Sequence, residues 1–317
     1  MKPSHVLVLG GTGFVGRHVC EQLVRAGCRV TVPTRRASHA ASIQTLPGLT
    51  VLETPTLSDE TLPQLMAGCD AVVNLIAVLH GSEARFEQVH VQLPKRIAAA
   101  MHRADVRRLV HVSALGADPQ GPSMYQRSKA LGEAQLQASG LDLTLLRPSV
   151  IFGAEDKFLN LFADLQQVFP FMPLAGSGTK FQPVWVNDVA AAIVRCLQDR
   201  ASIGQTYEAC GPETLSLGEL VQRSGQWAGV NGGKGRPVIP LPRWVGWLQA
   251  LAMEMLPGEP PMSRDNLASM KVDNVASGQL PGLQALGIRP AALSGVAPAY
   301  LGHKGPRSRL NRWRALR

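Results

Sequence analysis

The first half of the chain alternates short apolar runs with stretches of helical period. HVLVL (residues 5–9) is a continuous apolar run that stops at glycine, as a strand buried on both faces of a parallel sheet should be. FVGRHVCEQLVRAG then sets Val15, Val19 and Leu23 on one helical face and ends at Gly27, a C-terminal helix signal. The same reading predicts strands at 29–32, 49–53, 70–77, 107–114 and 141–149, and helices over about 83–103 and 123–138. Strand and helix in alternation imply an α/β fold, a doubly wound parallel sheet covered on both faces.

After Phe152 the pattern loosens, and Pro170, Pro173, Gly176 and Gly178 crowd a short region. NDVAAAIVRCLQD (187–199) predicts a helix with Asn187 as its N-cap, and QTYEACG is strand-like. Beyond Gly225 the chain is richer in Gly, Pro and Trp. LPRWVGWLQALAMEMLPG (241–258) predicts a helix bounded by Pro242 and Pro257, with Trp244, Trp247, Leu248, Leu251 and Leu256 at helical spacings. Packing onto its own lobe is the favoured expectation for this helix. An interfacial position at a membrane is the alternative. The organisation expected is a first domain over 1–155, to which a segment at about 185–210 returns, then a smaller C-terminal α+β lobe mainly over 156–300, and a tail at 301–317.

Composition changes the picture chiefly at that tail. The 317 residues carry a formal charge of +9, but HKGPRSRLNRWRALR (303–317) holds Lys304, Arg307, Arg309, Arg312, Arg314 and Arg317 and no acid. Without those six, the body is close to balanced at +3. The tail suits an anionic lipid surface or an acidic protein partner, or is only a solubilising extension. No RNA- or DNA-binding motif accompanies it, so no specific nucleic acid is expected. Five dispersed cysteines without a CxxC pair argue for a reducing compartment. No histidine pair has metal-helix spacing, so no metal is expected. With no signal peptide and no run of membrane-spanning length, the expected location is cytoplasmic, with peripheral contact at the inner membrane as a further option.

Candidate chemistry begins at GGTGFVG, directly after a strand and opening a helix. That context marks a Rossmann-like dinucleotide loop, with Gly10, Thr12, Gly13, Phe14, Val15 and Gly16 as its candidate binding residues. Glycines let the backbone approach a pyrophosphate, and the helix N-terminus offers unpaired N–H groups. An NAD-selective loop places an acid at the end of the second strand to hold the ribose 2′-hydroxyl. PTRRASH has Arg35 and Arg36 there instead, which suits a 2′-phosphate. NADP(H) is therefore preferred, and NAD(H) is the alternative cofactor.

A second constellation follows in SMYQRSK. Ser113 ends the fifth predicted strand, Tyr125 lies on the next helix, and Lys129 falls one helical turn beyond it. A lysine ammonium and a nicotinamide cation would lower the tyrosine pKa, letting Tyr125 exchange a proton with a substrate oxygen. Ser113 would hydrogen-bond the same oxygen. Each of these residues alone is common in solvated or capping roles; their order behind a glycine loop is what makes them informative.

GGTGFVG, VSALGA, YQRSK, LRPSVIFG and VWVNDVA occur in the order found in the extended, atypical short-chain dehydrogenase/reductase superfamily, which the chain resembles over nearly its whole length. That superfamily is related to NAD-dependent epimerases and dehydratases. The resemblance implies that Ser113, Tyr125 and Lys129 form a catalytic triad. It further implies that the backbone near Pro148, Ser149 and Val150 meets the nicotinamide carboxamide, and that Ala77 lines the cofactor groove. Asp188 would be structural, near the substrate lobe. Relatives often carry an acid just after the third strand, near the adenine amino group; here Pro55 and Thr56 stand about there. MSRDNLASMKVDNV (262–275) and LGIRPAALSGVAPAYL (286–301) look like signatures of the branch that includes the nucleotide-binding accessory subunit of respiratory complex I and its bacterial homologues. Some relatives in that branch are linked to ubiquinone biosynthesis. Two functions therefore stay open: an oxidoreductase acting on an unknown small-molecule substrate between the two lobes, and a non-catalytic NADPH-holding protein with respiratory or quinone-biosynthesis partners.

Overall fold

A computed structural model of the chain describes residues 3–255 and 262–302. The basic tail expected from 303 on therefore lies outside the described residues, as does the end of the helix expected over 241–258. In chain order the first elements are β1 (His5–Leu9), α1 (Phe14–Arg25), β2 (Arg29–Thr34), β3 (Leu49–Glu53), α2 (Thr61–Met66), β4 (Ala71–Asn74), α3 (Glu83–Phe86), α4 (Leu93–Arg103), β5 (Arg108–Val112), α5 (Met124–Gln137) and β6 (Asp142–Pro148). Then come β7 (Ile151–Phe152), α6 (Leu159–Val168), β8 (Met172–Ala175), β9 (Lys180–Phe181), β10 (Val184–Trp185), α7 (Val186–Gln198), β11 (Thr206–Ala209), β12 (Leu215–Ser216), α8 (Leu217–Trp227), β13 (Val238–Leu241), α9 (Arg243–Glu254), α10 (Arg264–Ser269) and α11 (Leu293–Leu301).

The chain divides into two units. The first comprises Met1–Pro148, Val186–Ala209 and Ala276–Arg289. It holds a seven-stranded sheet in the order β11-β6-β5-β4-β1-β2-β3, every pair parallel. The order reverses between β1 and β4, and ligands of open α/β sheets bind beyond the strand ends at such a reversal. β4 is buried throughout and β1 from Val6 on because both faces are covered, which is why both read as largely apolar. One face packs Leu7, Leu9, Leu109 and Leu145 against Ile97, Met101 and Leu136 of α4 and α5. The last return of chain is tied to β11: Glu208 donates its N–H to Pro281 O at 2.9 Å and accepts from Ser277 N at 2.8 Å.

The second unit comprises Ser149–Trp185, Cys210–Val275 and the described residues from Pro290 on. It contains three two-stranded sheets, β10-β7, β12-β9 and β13-β8, with α6, α8 and α11 around a core of Phe152, Leu159, Leu217, Leu220, Leu293 and Leu301.

Two local expectations need correction. Asn187 is no N-cap, because α7 starts at Val186, immediately after β10. Asn187 lies in the first turn, where Oδ1 meets His18 Nδ1 at 2.7 Å and its carbonyl accepts from Gln22 Nε2 at 2.9 Å, tying α7 to α1. The expected helix over 83–103 is continuous but not uniform: a π-helical turn, Glu87–Gln92, joins α3 to α4. A single wide turn leaves the 3.6-residue period on either side intact, so the apolar spacing does not reveal it.

Candidate functional site

The loop between β1 and α1 is shaped by close approach. Gly10 has φ +84°, the left-handed region that glycine tolerates. A Cβ at Gly16 would stand 2.2 Å from Gly10 O, and one at Gly11 would stand 2.8 Å from Val32 Cγ1. Gly16 thus lets the first turn of α1 sit directly on the loop, and Gly11 lets the loop lie against β2. Gly11 is a loop-shaping position that the G-x-x-G-x-x-G reading leaves out. Gly13 is the N-cap of α1 in extended backbone, with no side-chain cap, so Thr12, Gly13, Phe14 and Val15 surround the uncapped end of the helix.

Arg35 and Arg36 follow β2 and are exposed. The turn that carries them is held from the third strand: Glu53, the last residue of β3, accepts the N–H of Ala37 at 3.1 Å. A carboxylate beside the two arginines is a feature that the strand-end reading missed. Its signal was the register of β2 with β3, which pairs Thr34 with Glu53.

Ser113 directly follows β5 and is buried, and its Oγ has no hydrogen-bond partner among the described residues. A buried hydroxyl left unpaired costs about 1–3 kcal/mol. Tyr125 lies in the first turn of α5, which starts in a capping box between Ser123 and Gln126. Lys129, one turn later, is 2 % exposed, and its Nζ donates to Val112 O at 3.1 Å, next to Ser113. Burial lowers Lys129 to about 8, against the opposing effect of Glu133. Glu133 is itself engaged by the Arg147 guanidinium through two nitrogens. Burial also pushes the Tyr125 phenol up to about 12. In the protein by itself desolvation of the phenol prevails, while the lowering expected above counts a nicotinamide cation as well as Lys129.

A histidine absent from the sequence-based candidates joins these parts. His90 sits in the π-helical turn and is buried. Its Nε2 accepts the N–H of Val78 at 3.1 Å, so the proton of the neutral ring is on Nδ1, 2.8 Å from Ser128 Oγ. Ser128 Oγ in turn donates to the carbonyl of Tyr125 at 2.9 Å. The imidazole also stands edge-on to the Tyr125 ring, centroids 5.5 Å apart, with Phe86 packed on both. Burial first, then the Lys129 charge, lowers His90 to about 3. His111 on β5 is depressed well below its ordinary value by the same two causes, and its Nδ1 receives Asn74 Nδ2 at 3.0 Å. The loop after β4, where Ala77 is exposed, is therefore clasped to the helix of Tyr125.

Of the remaining candidates, Pro148 ends β6 and its carbonyl accepts from Leu115 N at 2.9 Å. Ser149 and Val150 open the second unit. There the Ser149 hydroxyl donates to Asn274 Oδ1 at 2.6 Å and the Val150 carbonyl accepts from Val184 N at 3.0 Å.

An NAD(P)H-binding family profile matches residues 10–200. Subunit 9 of the mitochondrial NADH dehydrogenase (ubiquinone) 1 alpha subcomplex from Mus musculus is 35% identical over 301 residues, covering 90% of this chain and 76% of that protein. An NAD(P)H azoreductase from Xenophilus azovorans is 27% identical over 233 residues, covering 74% of this chain and 75% of that one. Among solved structures, the dTDP-glucose 4,6-dehydratase DesIV of Streptomyces venezuelae, with NAD bound, superposes at a TM-score of 0.74 and 20% identity, covering 99% of this chain and 100% of its own. That last likeness concerns the fold alone.

Proposed function

The chain belongs to the NAD(P)H-binding, short-chain dehydrogenase/reductase-like family that includes subunit 9 of the mitochondrial NADH dehydrogenase alpha subcomplex, and on that premise we propose that it is an NADP(H)-preferring oxidoreductase working through Ser113, Tyr125 and Lys129. The residues present fit a dinucleotide. Glycines bare the backbone at the N-terminus of α1, and two exposed arginines follow β2 where an acid would select NAD. The observation that carries the catalytic reading is the buried Ser113 hydroxyl with no partner among the described residues. A fold gains nothing from such a group unless something else completes it.

When bound, the dinucleotide supplies a hydride to the substrate carbon. Tyr125, kept protonated by burial, is a proton donor across the neutral range. Its Oη gives a proton to the oxygen of the carbonyl being reduced, and the Lys129 ammonium, retained below about pH 8, stabilises the phenolate left behind. Ser113 Oγ donates to the same oxygen and fixes its position. His90 and Ser128 hold the helix turn that presents the phenol.

Calorimetry with NADPH and NADH on the wild type and on Arg35→Ala/Arg36→Ala tests the cofactor half. NADPH affinity should fall by roughly tenfold or more in the double variant, with NADH little changed. No binding of either nucleotide to the wild type would sink the reading. Tyr125→Phe tests the catalytic half: it should abolish reduction of a carbonyl or quinone substrate and leave NADPH binding intact. A second reading, a dinucleotide-holding structural or assembly component of a respiratory or quinone-biosynthesis complex, is favoured by the 35% identity to subunit 9. On that reading Tyr125→Phe has no phenotype.

A further inference from the structure

The helix α9 is turned inside out. Its inward positions are small: Gly246 and Ala250 are buried, and a Cβ on Gly246 would stand 2.2 Å from the Cβ of Ala175 on β8. At 100° per residue, Trp247, Leu251, Trp244, Met255, Leu248 and Ala252 fall in one continuous arc on the other side, uninterrupted by any charged residue. Five of these six are exposed and Leu251 is half-buried; Trp244 is 69% and Met255 81% exposed. The apolar surface extends to the neighbouring elements of the same unit. Phe169 and Phe171, just before β8, and Ile239 on β13, which pairs with β8, are exposed too. Monomeric proteins seldom leave so much aromatic and aliphatic surface of one unit in water without a use for it.

The charges around this face are mainly positive. Between Glu219 and Glu254 the chain contains Lys234, Arg236 and Arg243, and Arg223 paired with Glu213 at 3.8 Å, with no acid; Glu254, at the end of α9, is the one acid of that helix. Arg243 starts α9, and Arg236 is anchored beside the aromatic pair by its Nε donating to Gln166 O at 3.2 Å. Arg264, from α10, holds its guanidinium 5.6 Å over the Trp247 ring while paired with Glu254 at 2.8 Å. No helix of the described residues is long and apolar enough to cross a membrane. Tryptophans on an apolar face with a cationic border are the chemistry of a helix lying in the headgroup layer, its rings in the acyl boundary and its arginines on lipid phosphates.

We propose that the outer face of α9, with Phe169, Phe171 and Ile239 beside it, is a docking surface for an anionic lipid bilayer. This inference is independent of the catalytic reading and stands whether or not Tyr125 reacts. It is also distinct from an attraction through the basic tail.

The test uses the full chain in a Trp313→Phe background, which silences the tryptophan of the tail. Phosphatidylcholine vesicles with and without phosphatidylglycerol are titrated while tryptophan emission is followed, and one lipid carries bromine on its acyl chain. Binding to the anionic vesicles, with a blue shift and quenching by the brominated chains, is expected. Trp244→Ser/Trp247→Ser/Leu248→Ser should weaken partitioning by about tenfold or more while leaving the melting temperature and NADPH binding unchanged. Arg307→Gln/Arg309→Gln/Arg312→Gln/Arg314→Gln should leave the quenching in place. Binding that survives the triple serine variant but is lost in the tail variant overturns the proposal. So does an absence of quenching in the parent protein, or a lipid-free dimer that the serine variant dissolves, which would give the face to a second copy of the chain.

Discussion

With Val78 donating to its Nε2, His90 keeps both hydrogen bonds only as a neutral ring, and burial holds it neutral down to about pH 3. In the unfolded chain the imidazole takes up a proton near its ordinary 6.5. Below that pH the unfolded state binds a proton that the folded state does not, so this contribution is present above 6.5 and lost as pH falls towards about 3. His111 shifts in the same direction. Urea unfolding between pH 7 and pH 5 should therefore show stability falling by up to about 1.4 kcal/mol per pH unit for each histidine. His90→Asn should remove one proton from that slope. An unchanged slope in the variant would mean that His90 is protonated in the folded protein. The charges at the end of β2 belong to the same scale. Glu53 fixes the turn through Ala37, yet its carboxylate stands near Arg35 and Arg36. Glu53→Gln keeps the acceptor and drops the charge, so NADPH affinity should rise by a few-fold in calorimetry at low salt, with little effect on NADH.

At the scale of elements, the π-helical turn and α5 are fitted to each other at one glycine. A Cβ on Gly132 would stand 1.9 Å from His90 O, and the obstacle is backbone, which cannot swing away. Gly132→Ala should lower stability by about 1–3 kcal/mol. Gly295→Ala is the matching control, since it lies in α11 with nothing within 4 Å and should be neutral or stabilising by about 0.5–1 kcal/mol. Thermal denaturation of the two variants would separate close packing from helix propensity. This is also where the sequence stops being legible. The loop with Gly10, Gly13 and Gly16 and the Tyr125–Lys129 spacing read clearly because each is local, a turn or a single helical repeat. The strand sequence is legible for the same reason, since residues 6–9 of β1 and 71–73 of β4 are unbroken apolar runs. His90 is hidden because its importance comes from one wide turn and a partner 38 residues away. Helix α9 is legible as apolar but not as outward-facing, because periodicity locates an apolar face without saying what lies opposite it. Gly246 and Ala250 are the clue: their smallness suits contact with a strand.

For the whole molecule, the informative fact is that the first unit is assembled from three stretches of chain. A fragment ending at Pro148 retains the glycine loop, Ser113, Tyr125 and Lys129, and on a residue-by-residue view it holds most of the candidate cofactor site. It lacks β11, which pairs with β6, and α7, which packs on α1. Such a fragment should neither unfold cooperatively nor bind NADPH in calorimetry. Cooperative melting of the fragment would show that β6 is a stable edge by itself.

That discontinuity also bears on how the protein is made. As the chain leaves the ribosome, β1 to β6 emerge first, and the hydrogen-bonding edge of β6 then waits through the synthesis of the intervening segment before Thr206–Ala209 arrives to cover it. At cellular elongation rates this lasts on the order of seconds, long compared with the folding of a hairpin or a helix. During that interval the nascent protein presents a bare strand edge and an unroofed α1, the features that holdase chaperones recognise and that template mispairing between neighbouring chains on a polysome. Slowing translation between codons 149 and 205 should lower the soluble yield, and slowing it after codon 289 should not.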